Sequence, residues 1–463
     1  MSAHQRCIHP VFRCTRRRRR ARRRHRRCRR RRRHPFLLAP PSSASSGILP
    51  RRASRPYMVD CTIKVDQLRA VPKMSSAEVI GMRDVAAPLA SGLEGVVVAE
   101  TRLSEVDGER GKLTLAGHDV EELAGGGGVT FEDACGLLWG GALPGAAERE
   151  SLRRAIAEGR TRAFALLGRL GDALQAGDGM DAIRAAVAHL SGDVSPAAIA
   201  GAVATFAAAW ARRRAGEAPV APDPALRLSA DYLRMARGAA ASEAEVRELD
   251  TYLVTVSDHG MNASTFTARV VTSTGSDAIS AVVAAIGALK GPLHGGAPGP
   301  VLDMLDAIAA KAGEGGAPPP GCAERWIQAE LAAGRRIMGM GHRIYRVRDP
   351  RAAVLERAIE RLERTAGGAR SARLALAREV ERAAEAALRA RHPDRPLRAN
   401  VEFYTAVLLD ALGLPRALFA PTFAVGRVAG WCAHIDEQRR AGRLIRPSSR
   451  YIGGVPGAAA PPH

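Results

Sequence analysis

The chain of 463 residues is long enough for a large buried core and for two or more domains, and its formal net charge of +22 would ordinarily point to nucleic acid or an acidic membrane surface. The placement of the charge removes that reading for the body: residues 1–57 hold 20 Arg and no Lys, Asp or Glu, and the other 49 basic residues (69 − 20) face 47 acidic ones, a net of +2. Seven cysteines, Cys7, Cys14, Cys28, Cys61, Cys135, Cys322 and Cys432, show no C-x-x-C and no paired Cys/His spacing. They argue against a zinc site or a disulfide framework and fit a reduced, cytoplasmic setting.

Residues 1–73 read as a disordered, Arg-rich tail. The block from Arg16 to Arg33, then Pro35, Pro40, Pro41 and a Ser-rich stretch, lacks the apolar content to bury a core. Phe36-Leu37-Leu38-Ala39 is too short for a secretory signal, and a solid Arg block gives no amphipathic transit helix. Translated upstream sequence ahead of a start at Met58 or Met74 is the plainer reading, and binding of nucleic acid by this tail would be non-specific.

From Met74 onward Ala, Leu, Arg and Glu dominate, aromatics are 4%, and period-2 alternation is scarce, so the body is predicted to be all-α. The strands expected are short ones near 95–101 and 112–116. A loop is expected at 125–128, then a helix opening at Thr130 with Glu132 and Asp133 in its first turn. The longest apolar run, 199–211, is 13 residues and followed by three Arg. A membrane span needs about 20, so this is a buried helix. Further helices are expected from an N-cap at Ser276 to Gly291-Pro292, from an N-cap at Asn400 to Gly413, and from Thr422 to about Arg440, closed by Gly442.

Reactive residues cluster in four segments: Ser257-Asp-His-Gly-Met-Asn-Ala-Ser-Thr265, Gly291-Pro-Leu-His-Gly-Gly-Ala297, Gly339-Met-Gly-His-Arg-Ile-Tyr-Arg-Val-Arg-Asp-Pro-Arg351 and Asn400-Val-Glu-Phe-Tyr404. Glycines beside a histidine let backbone approach a ligand and hold the ring in a loop, where function concentrates. Singly, each has a plain structural reading. A His beside Gly is usually a satisfied turn residue, and Glu402 could merely complement its helix dipole. Gly339-Met-Gly-His lacks the third Gly and following helix of a dinucleotide fingerprint, and no phosphate-loop motif occurs.

Together and in this order, GPLHGGA, GMGHRIYRVRDPRA, NVEFYTAVLLDALGLP and FAPTFAVGRVAGWCAHIDEQ resemble the citrate synthase family, with FEDACGLLWGGALP and DHGMNASTF adding to the match. The resemblance runs from about Gly92 to Arg446. It implies a two-domain, all-α homodimer, with a large domain at 74–295 and 399–463 and a small mobile domain at 296–398. It implies that His294 hydrogen-bonds the thioester carbonyl of an acyl-CoA, that Glu402 removes the α-proton, and that His342 polarises the ketone of oxaloacetate. His259, Arg351 and Arg427 would grip the oxo acid, and Arg446 would reach in from a partner subunit. Ile337, Met338, Gly339, Met340, Gly341 and Arg346 match the region that contacts CoA.

The chemistry agrees with these roles. A thioester α-proton is weakly acidic, so a carboxylate removes it only if the developing oxyanion is stabilised at once, which a neutral His donor can do. A dicarboxylate calls for Arg, whose planar fork binds carboxylate oxygens in pairs. Neither metal nor cofactor is expected; acetyl-CoA enters as substrate, and neither specific nucleic acid nor membrane is expected as a partner. Two departures from the family pattern stand out: Glu402 replaces the usual Asp, and Leu115-Ala-Gly-His118 precedes the Asp119–Ala124 run where Tyr-Arg-Gly is usual. The expected reaction is condensation of acetyl-CoA with oxaloacetate to citrate and CoA. The alternatives are a 2-methylcitrate synthase using propionyl-CoA and a catalytically weak paralogue that binds CoA or oxo acids.

Overall fold

The computed structural model describes residues 90–294, 298–312, 319–365, 371–395 and 397–452. The tail expected at 1–73 lies outside them, as does the end of the GPLHGGA motif at 295–297.

The chain first makes a small antiparallel sheet, in order β1 (Ser104–Asp107), β2 (Lys112–Leu115), β3 (His118–Asp119). Ser104 stands opposite Leu115 and Asp107 opposite Lys112, and Asp107 Oδ1 accepts the Arg110 N–H to close the turn between them. The second expected strand is therefore present as β2, but the one expected at 95–101 is not. Val97 is 86% exposed there. A strand needs a partner for its backbone and a face to bury, and Ser104–Asp107 has both. Leu113 and Leu115, two apart on one face of β2, bury against Val120, Leu123, Leu137 and Val254.

Among the described residues fifteen α-helices follow. They are α1 (Val120–Gly125), α2 (Phe131–Gly140), α3 (Ala146–Leu166), α4 (Gly179–Val187), α5 (Pro196–Arg214), α6 (Leu228–Arg237), α7 (Glu243–Thr255) and α8 (Ala263–Ser273). Then come α9 (Ala278–Lys290), α10 (Pro298–Ala309), α11 (Cys322–Ala332), α12 (Pro350–Thr365), α13 (Ser371–Arg391), α14 (Val401–Ala411) and α15 (Phe419–Ala441). The all-α expectation holds. No helix among the described residues is long and apolar enough to cross a membrane.

Caps set where these helices begin. Thr130 caps α2, its hydroxyl accepting the Asp133 N–H while Asp133 accepts the Thr130 N–H, a reciprocal capping box. Asn400 caps α14 as expected. The cap of α9 is Asp277 rather than Ser276, one residue later, because its carboxylate reaches the Ser280 N–H. Helix α15 begins at Phe419, three residues before Thr422, since Pro421 fits a first turn, where its missing N–H has no partner to lose.

Helix α5 is buried from Ile199 through Ala211, the run read as a buried helix. Helix α15 is also buried around most of its circumference. Phe423, Val425, Val428, Trp431 and Ile435 each lie in the core, and burying such side chains contributes about 1.5–3 kcal/mol apiece. Packing on that scale, rather than helix propensity, fixes its place. Gly430 lets it approach the backbone closely: a Cβ there would come 2.4 Å from the Ser257 carbonyl oxygen and 2.5 Å from Asp258 Oδ1. The segment holding Asp258 and His259 is thereby pressed against the helix that carries Arg427 and His434.

Candidate active site

His294 sits just past the end of α9, where its N–H donates to the Gly291 carbonyl at 2.9 Å. The Ser264 backbone N–H, in the first turn of α8, donates to His294 Nε2 at 3.3 Å, and Ser264 Oγ lies 2.8 Å from the same nitrogen. An N–H aimed at Nε2 requires a lone pair there, so the neutral ring carries its proton on Nδ1. Ser264 is itself held, its hydroxyl 2.8 Å from Asn262 Oδ1 and accepting the Trp431 indole N–H at 3.1 Å. Burial, and then the Arg427 charge, push the His294 pKa down to about 4.

His342 has the opposite tautomer. Its Nδ1 accepts the backbone N–H groups of Ile344 at 3.1 Å and Tyr345 at 3.2 Å, which places the neutral ring's proton on Nε2. Burial, followed by Arg351, lowers its pKa to about 4. Both histidines are therefore uncharged N–H donors at neutral pH.

Glu402 lies in the first turn of α14, 9% exposed, with Oε2 lacking any hydrogen-bond partner. Burial raises its pKa to about 7, against the pull of Arg351 and Arg427. A carboxylate that binds its proton near neutral pH is suited to taking one from carbon.

The loop carrying His342 is joined by backbone to the segment that leads into the helix of Glu402. Gly341 N–H donates to the Arg398 carbonyl at 2.7 Å and Asn400 N–H to the Gly339 carbonyl at 2.9 Å, with Met340 bridged to Ala399. Gly339 has φ +75°, and a Cβ there would lie 2.9 Å from Phe403 and from Val301. Of the other residues expected near CoA, Ile337 and Met340 are buried, Met338 and Gly341 are half-buried and Arg346 is exposed, within 4.0 Å of Glu109.

His259 lies beside His342 and within electrostatic reach of Arg351 and Arg427. His259 is buried, its ring centroid 5.4 Å from that of His342, and burial with the charges of Arg351 and Arg427 drives its pKa well below 6.5. Arg351 holds Asp349 through Nε (3.0 Å) and Nη2 (2.7 Å), and Asp349 also accepts the Val401 N–H at 3.1 Å. Arg427 is buried, donates Nε–H to the Val256 carbonyl at 2.6 Å and lies over the Phe423 ring, and desolvation brings its pKa down to about 10. Arg446 is exposed on the segment after α15, and none of these contacts reaches it.

Behind His259 runs a buried relay that the sequence did not reveal. Arg269 Nη1 donates to His434 Nδ1 at 3.0 Å, which leaves His434 Nε2–H to donate to Asp258 Oδ2 at 3.3 Å. Ser104 on β1 also donates to that oxygen, and its Oγ accepts the Gly260 N–H at 2.8 Å. Burial opposes the charge on Asp258, but His434 and Arg427 outweigh it and hold the carboxyl below its ordinary range. Ser264, Tyr345, Asp349 and His434 were thus missed as site residues. The available signal was their presence inside the motifs already singled out. Among the described residues, no three of His, Cys, Asp and Glu converge to hold a metal ion.

Comparison with known proteins gives one consistent result. The model for the citrate synthase C-terminal domain matches residues 92–448. The chain is 36% identical over 382 residues to a citrate synthase of Haloferax volcanii, covering 79% of this chain and 96% of that one. It is 37% identical over 380 residues to a 2-methylcitrate synthase of Mycobacterium tuberculosis, covering 78% and 90%. Among solved structures, it is similar to the ternary complex of carboxymethyl coenzyme A and oxaloacetate with citrate synthase from Thermoplasma acidophilum, with a TM-score of 0.70 and 26% identity over 81% of this chain and 98% of that one.

Proposed function

We infer the reaction from one premise: this chain belongs to the citrate synthase family and is a transferase of that type. It condenses acetyl-CoA with oxaloacetate and hydrolyses the thioester product to citrate and CoA, as in the tricarboxylic acid cycle. The observation that carries this reading is the site's protonation pattern. Two neutral histidines of opposite tautomer and a buried carboxylate with an unpartnered oxygen lie within electrostatic reach of two buried guanidiniums, His294 of Arg427, His342 of Arg351 and Glu402 of both.

In this reading Glu402 takes the α-proton of the acyl group while His294 Nδ1–H donates to the thioester oxygen as it gains charge. An oxyanion donor of this kind is worth about 2.7–4 kcal/mol in a water-poor site. His342 Nε2–H polarises the ketone of the oxo acid and supplies a proton to the new alkoxide. Arg427, Arg351 and His259 hold the two carboxylates, with Arg446 contributed by the partner subunit of a homodimer. CoA lies along Ile337–Gly341 and Arg346. Residues 296–398 form the small domain and close over bound oxo acid, excluding water until the carbon–carbon bond has formed. No cofactor takes part.

The test is thiol release by the purified protein with oxaloacetate and each acyl-CoA. A higher kcat/KM with acetyl-CoA is expected; a higher value with propionyl-CoA would instead make the chain a 2-methylcitrate synthase. That second reading is favoured by the 37% identity to a 2-methylcitrate synthase. One methylene in an apolar pocket shifts the preference by roughly 10–200-fold. Binding of oxaloacetate without turnover would leave the catalytically weak paralogue.

A further inference from the structure

Tyr345 is the residue through which the two oxo-acid histidines meet. It is 3% exposed. Its phenol oxygen lies 3.1 Å from His259 Nε2, and its backbone N–H donates to His342 Nδ1 at 3.2 Å. Its ring packs at 5.6 Å from that of His259 and 4.7 Å from that of His342, and the Arg351 guanidinium lies 6.0 Å over its face. One side chain and its own peptide therefore contact three of the groups assigned above to the oxo acid.

We propose that Tyr345 is a positioning residue for oxo-acid recognition, fixing the ring of His259 by its hydroxyl while its main chain fixes His342. The proposal rests on the oxo-acid reading above and adds a division of labour to it. Packing confines the buried His259 ring, but a hydrogen bond to one ring nitrogen fixes which way its two nitrogens face and which of them carries the proton. Nε2 of His259 has Tyr345 as its hydrogen-bond partner, across 86 positions of sequence. Burial raises the pKa of the phenol, so it keeps its proton across the working pH range. His342 is held by two backbone N–H groups that do not depend on the phenol. Loss of the hydroxyl should therefore disturb His259 and leave His342 in place.

Tyr345→Phe keeps the ring and the main chain and removes only the hydroxyl. The expected result is a KM for oxaloacetate raised roughly 3- to 10-fold, the loss of one neutral hydrogen bond, with kcat within about 3-fold of wild type and the KM for acetyl-CoA unmoved. The decisive readout is a double-mutant cycle with His259→Asn, followed by calorimetric binding of oxaloacetate so that it does not depend on turnover. If Tyr345 acts through His259, Tyr345→Phe costs less than about 2-fold in the His259→Asn background. An unchanged KM, or a full additive loss in the double variant, overturns the proposal. Absence of oxaloacetate turnover and binding in the wild type would overturn the reading it rests on, and the proposal with it.

Discussion

The side-chain amide of Asn400 donates to the Gly341 carbonyl at 2.8 Å, so the residue that caps the helix of Glu402 also holds the backbone beside His342. Its Oδ1 accepts the Glu402 N–H at 3.0 Å. One Asn thereby sets the separation of the groups proposed as base and ketone donor. Asn400→Asp keeps the cap oxygen and loses the donor; Asn400→Ala loses both. We expect kcat to fall about 10-fold for Asp and about 100-fold for Ala, since misplacement by about 1 Å costs on that order. Loss of the cap should cost a further ~1 kcal/mol of stability for Ala alone. Steady-state kinetics and thermal unfolding of the two variants would check this, and equal effects would contradict it.

Glu402 couples function to stability with a definite sign. Its carboxyl has an ordinary pKa of 4.5 and reaches about 7 when folded. The folded chain holds this proton more tightly than the unfolded one, so the stability it contributes is full below about 4.5 and is lost as the pH rises to about 7. That interval corresponds to roughly 3 kcal/mol. Glu402→Gln, which cannot ionise, should abolish turnover yet be more stable than wild type at pH 8 by up to about that amount, with the difference vanishing near pH 4.5. Denaturant unfolding at the two pH values reads the effect; a variant less stable at pH 8 would contradict it.

The acid limb of activity should report the same group. His294 and His342 titrate near 4 and stay neutral above pH 5.5. The kcat/KM for acyl-CoA should therefore rise with pH to a plateau above about 7, as Glu402 loses its proton. A profile flat from pH 5.5 to 8 would remove Glu402 from the base's role.

Ser264→Ala removes the hydroxyl beside His294 Nε2 and leaves the Trp431 indole N–H without an acceptor. The backbone N–H that sets the tautomer remains. The expected outcome is a modest fall in kcat, about 10-fold, with a stability loss of about 1–3 kcal/mol from the stranded buried donor. A kcat loss of several thousand-fold would mean that the hydroxyl itself takes part in the reaction.

Gly339→Ala tests the backbone join. A methyl group would meet Phe403 and Val301 at 2.9 Å in a left-handed conformation, whereas Gly334, at φ +72°, has nothing within 4 Å of its Cβ direction. Both substitutions carry the left-handed strain of about 1 kcal/mol. Only Gly339→Ala should add a steric cost of about 1–3 kcal/mol and displace Phe403 beside Glu402. Unfolding and kcat measured for the pair separate the two effects.

What the sequence determined by itself is local. Asn400 as a cap, Glu402 in the first turn behind it, the buried helix of 199–211 and the all-α class all follow from short-range capping, propensity and apolar content. These act within a turn or two of chain. The first strand was misplaced because Val96-Val97-Val98 has the composition of a strand but no partner, while Ser104–Asp107 gains one only when β2 folds back on it. The tertiary structure alone decided the chemistry of the site. The tautomer of His294 is set by Ser264, 30 positions away, its pKa by burial and by Arg427, and the setting of His259 by Tyr345. Proton position and pKa depend on desolvation and on charges brought close in space, and neither quantity is a property of neighbouring residues in the chain.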